Sequence, residues 1–138
     1  MVIRAVRCYN PHVERDPSST NETVLLVEDR EEVRRALHEY LRHLGYDVLD
    51  ATKAEEALAM ASRGLRIDVL LTDVNMPGGL GTDLADAMRE VLPDVRVVFM
   101  SGYPPDPAMR QRMGLLGATF LQKPFAPREL IALLPARR

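Results

Sequence analysis

Three acidic residues follow apolar runs, and together they could bind a cation and attack phosphorus. Glu28 and Asp29 come after the run Val24 to Val27, and Asp73 comes after the run Val69 to Thr72. Carboxylates that meet repel one another, and their pKa values rise unless a cation lies among them. Mg²⁺ prefers oxygen ligands and keeps positions open for water or phosphate. A carboxylate can also attack phosphorus, so the pattern predicts Mg²⁺-assisted phosphoryl chemistry at Asp73.

Two further residues would complete such a site. Ser101 ends the run that begins at Val95, and Lys123 precedes Pro124 after another apolar run. A hydroxyl and an ammonium can contact the outer oxygens of a transferring phosphoryl group. Taken alone, each of these residues is more simply a turn residue, a helix cap or a solvated charge. It is the combination with the three acids that favours a site.

These side chains can meet only if the chain forms a parallel sheet. Short aliphatic runs alternate with segments of helical spacing, and continuous apolar runs are typical of strands covered on both faces. The predicted strands are Val24 to Val27, Asp47 to Ala51, Val69 to Thr72, Val95 to Met100 and Ala118 to Leu121. The pattern predicts an α/β fold, a doubly wound five-stranded parallel sheet with helices on both faces. In this flavodoxin-like fold, ligands bind at the carboxyl ends of the strands.

Five helices are predicted between and after these strands. They cover Val33 to Leu44, Ala54 to Arg63, Leu84 to Leu92, Ala108 to Leu116 and Pro127 to Leu134. Gly45 follows the first helix, where a left-handed residue commonly ends a helix. Pro127 suits the first turn of the last one.

The composition bounds the class of protein. With 138 residues, 46% of them hydrophobic, the chain suits one domain, which we place at 23–138 after a tail or linker at 1–22. A net charge of -2 argues against direct nucleic-acid binding. The sequence has no signal peptide and no long apolar segment, so we expect a cytoplasmic protein without a membrane segment. The single cysteine, Cys8, excludes an internal disulfide.

From Thr23 to about Leu134, the sequence resembles the receiver domain of two-component response regulators. The resemblance is carried by VLLVEDR, LLTDVNMPGGLG, VVFMSGY and FLQKPF, which occur in the family's order. The longer stretch LLTDVNMPGGLGTDLADAMRE is most similar to receivers attached to hybrid sensor histidine kinases. The family's fold is the one that the strand pattern predicts.

The resemblance implies a role for each site residue. Asp73 would accept a phosphoryl group from the phosphohistidine of a sensor histidine kinase or a histidine phosphotransfer protein. Mg²⁺ would be held by Glu28, Asp29, Asp73 and the main-chain carbonyl of Asn75. Lys123 would pair with the phosphoryl group. The chain would be a signalling phosphoacceptor that assists its own phosphorylation and dephosphorylation, not an enzyme with substrate turnover.

The resemblance also implies a two-state switch. Ser101 would move toward the phosphoryl group, and Phe120 would repack at the family's aromatic switch position, where its ring lacks the hydroxyl of the more frequent Tyr. The Lys123-Pro124 peptide is expected to be cis. A partner would read the surface of the last two helices and the last strand, and the resemblance allows a phosphorylation-dependent dimer.

Two other functions fit the same fold class. Haloacid-dehalogenase-like phosphohydrolases also use a strand-end aspartate, but they carry a second aspartate two positions later, where this chain has Asn75. A flavodoxin-like FMN protein would need loops rich in hydroxyl and aromatic residues. The phosphohydrolase is the stronger alternative of the two.

Two further motifs do not indicate a second site. The glycines after Pro77 lack the fingerprint of a nucleotide loop, and they are interpreted as a flexible turn beside the site. His38 and His43 are five residues apart, so they diverge on a helix and do not form a zinc pair. They are interpreted as exposed helix residues.

Overall fold

The computed structural model describes residues 21–76 and 79–135. Most of the predicted tail, Cys8, Pro77 and Gly78 therefore lie outside the described residues. The strands are β1 (Thr23–Val27), β2 (Asp47–Ala51), β3 (Val69–Asp73), β4 (Asn75–Met76), β5 (Gly79–Leu80), β6 (Arg96–Ser101) and β7 (Thr119–Gln122). The helices are α1 (Glu31–His43), α2 (Ala54–Ser62), α3 (Gly81–Val91), α4 (Pro107–Leu116) and α5 (Pro127–Leu133). No helix in the described ranges is long and apolar enough to cross a membrane.

The main sheet is parallel and has the strand order β2-β1-β3-β6-β7. The predicted doubly wound fold is confirmed. Leu25 in β1 pairs with Leu49 in β2 and with Leu70 in β3, and Leu70 pairs with Val97 in β6. Every residue of β1 and β3 is buried, as expected for strands covered on both faces. The strand that carries Asp73 is therefore central and rigid.

Successive residues of each central strand enter opposite cores. Leu25 and Phe99 pack in the core beneath α2, α3 and α4. Leu26 and Met100 pack in the core beneath α1 and α5. Each fully buried side chain of this size contributes about 1.5–3 kcal/mol relative to exposure. The two cores hold the carboxyl ends of the strands in fixed positions.

A short antiparallel hairpin, formed by β4 and β5, follows Asp73. Asn75 pairs with Leu80, and Met76 pairs with Gly79. The flexible turn predicted for the glycines after Pro77 was wrong for Gly79, which lies in β5, and for Gly81, which begins α3. Strands of two residues have no periodicity that a sequence can reveal. Met76 is only 8% exposed and packs in the core beneath α2, α3 and α4. This burial fastens the hairpin to the sheet.

The end of α5 is tied to the start of β2. The Tyr46 hydroxyl donates a hydrogen bond of 2.7 Å to the Pro135 carbonyl, across 89 residues of sequence. Tyr46 directly follows Gly45, whose φ of 101° agrees with the left-handed conformation predicted there. The turn after α1 thus places the Tyr46 hydroxyl next to the residues that follow α5.

Candidate functional site

Three carboxylates meet at the carboxyl edge of the sheet. The carboxylate oxygens of Glu28, Asp29 and Asp73 lie within 4.8 Å of one another. Glu28 is fully buried and Asp73 is 6% exposed, whereas Asp29 is exposed. The ends of adjacent strands β1 and β3 bring these residues together, as the parallel sheet predicts.

Lys123 bridges two of the three acids. Its Nζ lies 2.8 Å from Glu28 Oε1 and 2.7 Å from Asp73 Oδ1. The Lys123 main-chain N–H donates a 2.7 Å hydrogen bond to the Ser101 carbonyl at the end of the β6–β7 pair. The Lys123-Pro124 peptide is cis. Lys123 follows β7, which is two strands away from β3 in the sheet, and its ammonium contacts the carboxylate of Asp73 at the end of β3.

The charges of this group perturb one another. Burial, and next the neighbouring carboxylate of Glu28, raise the pKa of Asp73 to about 7, although Lys123 acts in the opposite direction. Burial opposes ionisation of Glu28 too, but hydrogen bonds with Asp73, Lys123 and the Arg30 N–H lower its pKa. Burial likewise opposes the charged form of Lys123, whose pKa is nonetheless raised by its two carboxylate partners.

The donor set fits a hard divalent cation. All three acidic side chains offer oxygen, and one ammonium does not lower the pKa of Asp73 to its ordinary range. A further positive charge among the carboxylates would do so. Oxygen-only sites of this kind, with room for water, are those that Mg²⁺ prefers.

Ser101 and Phe120 lie together at one side of this group. Both line a cavity of 240 Å³, along with Asn75 and Met109. The Ser101 Oγ accepts a 3.1 Å hydrogen bond from the Tyr103 N–H. Ser101 and Phe120 are partly buried, and Asn75 is exposed. The structure thus places the predicted hydroxyl and the predicted aromatic residue next to the same space.

Gly81 is a site residue that sequence reasoning missed. A Cβ on Gly81 would overlap with the main-chain carbonyl oxygen of Asp73, and it would lie 3.3 Å from the Cα of Val74. The Gly81 N–H donates a 2.6 Å hydrogen bond to the Val74 carbonyl. The hairpin can therefore return to α3 only because this residue has no side chain. No signal in a single sequence marks a contact between residues eight positions apart.

His38 is also placed differently from the prediction. Its side chain is only 14% exposed, and its Nδ1 forms a 2.7 Å hydrogen bond with Asp50 Oδ1 on β2. The helical spacing showed which residues face away from each other, but not that an acidic residue of the edge strand lies opposite His38.

The chain matches known proteins over nearly all of its described length. Residues 24–135 match the family model described as the response regulator receiver domain. Over 113 residues, 81% of this chain, it is 37% identical to the sensor kinase CckA of Brucella abortus. The match spans only 12% of that kinase.

Solved structures give the same similarity. The chemotaxis protein CheY4 of Vibrio cholerae superimposes with a TM-score of 0.73 at 31% identity, covering 83% of this chain and 99% of that one. A response regulator protein from Burkholderia pseudomallei, solved with a phosphorylated aspartic acid, a calcium ion and citrate, gives a TM-score of 0.75 at 25% identity. That match covers 84% of this chain and 68% of the other.

Proposed function

This chain belongs to the response regulator receiver domain family of two-component systems, and from that premise we propose that Asp73 accepts a phosphoryl group from a phosphohistidine. The donor would be a sensor histidine kinase or a histidine phosphotransfer protein. One observation carries the proposal: the Asp73 carboxylate contacts the Lys123 ammonium at 2.7 Å while it lies within 4.8 Å of two other acids. A nucleophile in this position has positive charge beside it and oxygen donors around it.

The transfer forms one bond and breaks one. A carboxylate oxygen of Asp73 attacks phosphorus, and a P–O bond forms as the P–N bond of the phosphohistidine breaks. The electron pair of that bond stays on the imidazole nitrogen, which takes a proton from solvent. Lys123 favours the ionised Asp73 that this attack requires, and its ammonium can then pair with a phosphoryl oxygen.

A divalent cation, when bound, would supply the charge that keeps Asp73 ionised and offsets its repulsion of the incoming phosphoryl group. The residues that would hold Mg²⁺ are Glu28, Asp29, Asp73 and the main-chain carbonyl of Asn75. A relative was solved with both a phosphorylated aspartic acid and a calcium ion, which supports an aspartate phosphoacceptor and a divalent cation in this family.

Ser101 and Phe120 would convert phosphorylation into a change of surface. The Ser101 hydroxyl accepts a hydrogen bond from Tyr103, so its own proton remains available for a phosphoryl oxygen. Because Ser101 and Phe120 line the same 240 Å³ cavity, inward movement of one changes the space for the other. The ring of Phe120 can pack but cannot donate a hydrogen bond. A partner, or a second copy of the chain, would read the altered surface of α4, β7 and α5.

The proposal is a signalling phosphoacceptor and not a phosphohydrolase. Asn75 stands where that enzyme class has a general acid and base, and a carboxamide does not exchange protons in this way. The family match gives the phosphohydrolase alternative no support. The similarity to CckA, whose receiver domain is described as that of a hybrid histidine kinase, supports a receiver of the kind attached to such kinases.

Incubation with radiolabelled acetyl phosphate and Mg²⁺ tests the assignment. The wild-type protein should gain a hydroxylamine-sensitive label, and Asp73→Ala should gain none. Asp86→Asn, a change at a side chain on α3 that is 52% exposed, is the matched control and should label like the wild type. Label that persists in Asp73→Ala would show that another residue is the phosphoacceptor.

A further inference from the structure

We infer that Arg34 is a positioning residue for the acids that would bind the cation, an inference that rests on the proposed function. Arg34 lies in the first turn of α1, shortly after Glu28 and Asp29. Its Nη1 donates a 3.2 Å hydrogen bond to the main-chain carbonyl of Glu28. The Arg34 side chain is only 17% exposed, so little water competes for that carbonyl.

The Glu28 carbonyl needs this donor because the strand pairing stops there. The Glu28 N–H donates a 3.1 Å hydrogen bond to the Ala51 carbonyl, the last residue of β2. Beyond Ala51 the chain turns toward α2, and the Thr52 N–H donates to Glu56 Oε1 at 2.6 Å. Buried carbonyl groups are almost always hydrogen-bonded. Arg34 supplies a side-chain donor where the β1–β2 pair no longer supplies one.

A fixed carbonyl at Glu28 also fixes the acid that follows it. The Glu28 carbonyl and the Asp29 N–H belong to one planar peptide unit, so its orientation limits the backbone conformation of both residues. Within the described part of the chain, the Asp29 carboxylate has no hydrogen-bond or ion-pair partner of its own. Its position therefore depends on the main chain that Arg34 orients.

Arg34 is itself held in place from β2. Asp50 Oδ2 lies 3.8 Å from Arg34 Nε, and the other oxygen of Asp50 forms the 2.7 Å hydrogen bond with His38 Nδ1. The Asp50 side chain is 28% exposed. Asp50 on the edge strand β2 thus holds Arg34, and Arg34 holds the peptide between Glu28 and Asp29; His38 in turn fixes Asp50.

Mg²⁺ affinity distinguishes positioning from a simple charge effect. Arg34→Met removes a positive charge near the acids, so electrostatics alone would tighten Mg²⁺ binding. Loss of positioning predicts the opposite, and residues that orient metal ligands typically change affinity 10-fold or more. We expect about 10-fold weaker Mg²⁺ binding by isothermal titration calorimetry. Arg35→Met removes the same charge from a side chain that is 73% exposed and pairs with Glu31, and it should bind within about two-fold of wild type.

A second variant keeps the test decisive if Arg34→Met folds poorly, which urea unfolding would reveal. Arg34→Lys keeps the positive charge but lacks the planar fork that contacts both the Glu28 carbonyl and Asp50, so loss of positioning should weaken its Mg²⁺ binding about three-fold whereas a charge effect predicts no change. Wild-type or tighter binding by folded Arg34→Met overturns the inference. If only Arg34→Lys folds, wild-type Mg²⁺ affinity in that variant overturns the inference. Absence of Mg²⁺ binding by the wild type would overturn the proposed function as well.

Discussion

Replacing Gly81 with alanine should damage both the fold and the site. The added methyl would overlap with the main-chain carbonyl oxygen of Asp73 and would approach its carbonyl carbon to 3.2 Å. Neither atom belongs to a flexible side chain that could turn away, so the main chain itself must shift. The segment that would shift carries Asp73, the proposed phosphoacceptor, on one side and Asn75 on the other.

The size of the effect follows from forced overlap in a packed region, which typically costs about 1–3 kcal/mol. Gly114 offers a matched control inside α4, where an added Cβ meets no atom within 4 Å. Alanine is preferred to glycine there by about 0.5–1 kcal/mol. The same chemical change should therefore destabilise the protein at Gly81 and stabilise it at Gly114. A loss of about 2 kcal/mol would lower the melting temperature by roughly 10 °C in a domain of this size.

Urea unfolding and Mg²⁺ titration of Gly81→Ala and Gly114→Ala provide the assay. We expect opposite signs of the change in unfolding free energy, and weaker Mg²⁺ binding only in Gly81→Ala, because displacement of the hairpin moves the Asn75 carbonyl. If Gly81→Ala were as stable as wild type and bound Mg²⁺ equally well, the close approach of Gly81 to Asp73 would not constrain the site.

Three further outcomes follow from the charges and contacts. The pKa of Asp73 is raised to about 7, so the metal-free native state binds more protons than the unfolded state between about pH 4 and 7. The stability of the wild type therefore falls as pH rises through that window. In urea unfolding with EDTA, Asp73→Asn should be more stable than wild type by the order of 2 kcal/mol at pH 8, with no difference near pH 4. Burial opposes ionisation of Glu56, but hydrogen bonds from Thr52 lower its pKa. The stabilisation by these hydrogen bonds is present above the ordinary carboxyl pKa and is lost as pH falls. Glu56→Ala should therefore cost about 0.5–1.5 kcal/mol at pH 7, and thermal melts should show that the stability difference from wild type narrows in acid. Arg112 Nη2 contacts two aspartates of α3 at 2.6 and 2.7 Å, but all three side chains are at least a third exposed. In urea unfolding, Arg112→Gln should therefore lower the unfolding free energy by less than about 1 kcal/mol, and 1 M salt should abolish most of this difference from wild type.

The main sheet was predictable because its strands are covered on both faces. A strand such as β1 is apolar at four of its five positions, Val24 to Val27, and such a run is visible in a sequence without any partner. The predicted boundaries differ from the observed ones by a residue or two at most strands; Asp73, for example, lies inside β3 and not after it. Once the strands were known, their parallel order brought the acids, Ser101 and Lys123 to one edge.

Two contacts of the site were not predictable, because each involves a main-chain atom several residues away in the sequence. One is a hydrogen bond from a side chain to a carbonyl, and the other is a close approach that only glycine permits. Arg34 reaches the Glu28 carbonyl through the geometry of α1 against the end of β1, and no spacing rule describes that approach. Glycine is required at position 81 by the main-chain carbonyl of Asp73, which lies eight residues earlier in the sequence. The β4–β5 hairpin is too short to show any periodicity. Such features depend on three-dimensional proximity alone.

The hydrogen bond from Tyr46 to Pro135 has a consequence for how the molecule opens. It joins the end of the last helix to the start of an edge strand of the sheet, and terminal and edge elements typically open at lower free energy than central strands. Leu130 and Leu134 share their core with Tyr46, so unwinding of α5 uncovers apolar surface at β2 as well. In hydrogen exchange, the amides of α5 and β2 should therefore open as one cooperative unit. Tyr46→Phe should separate the two, with α5 exchanging first.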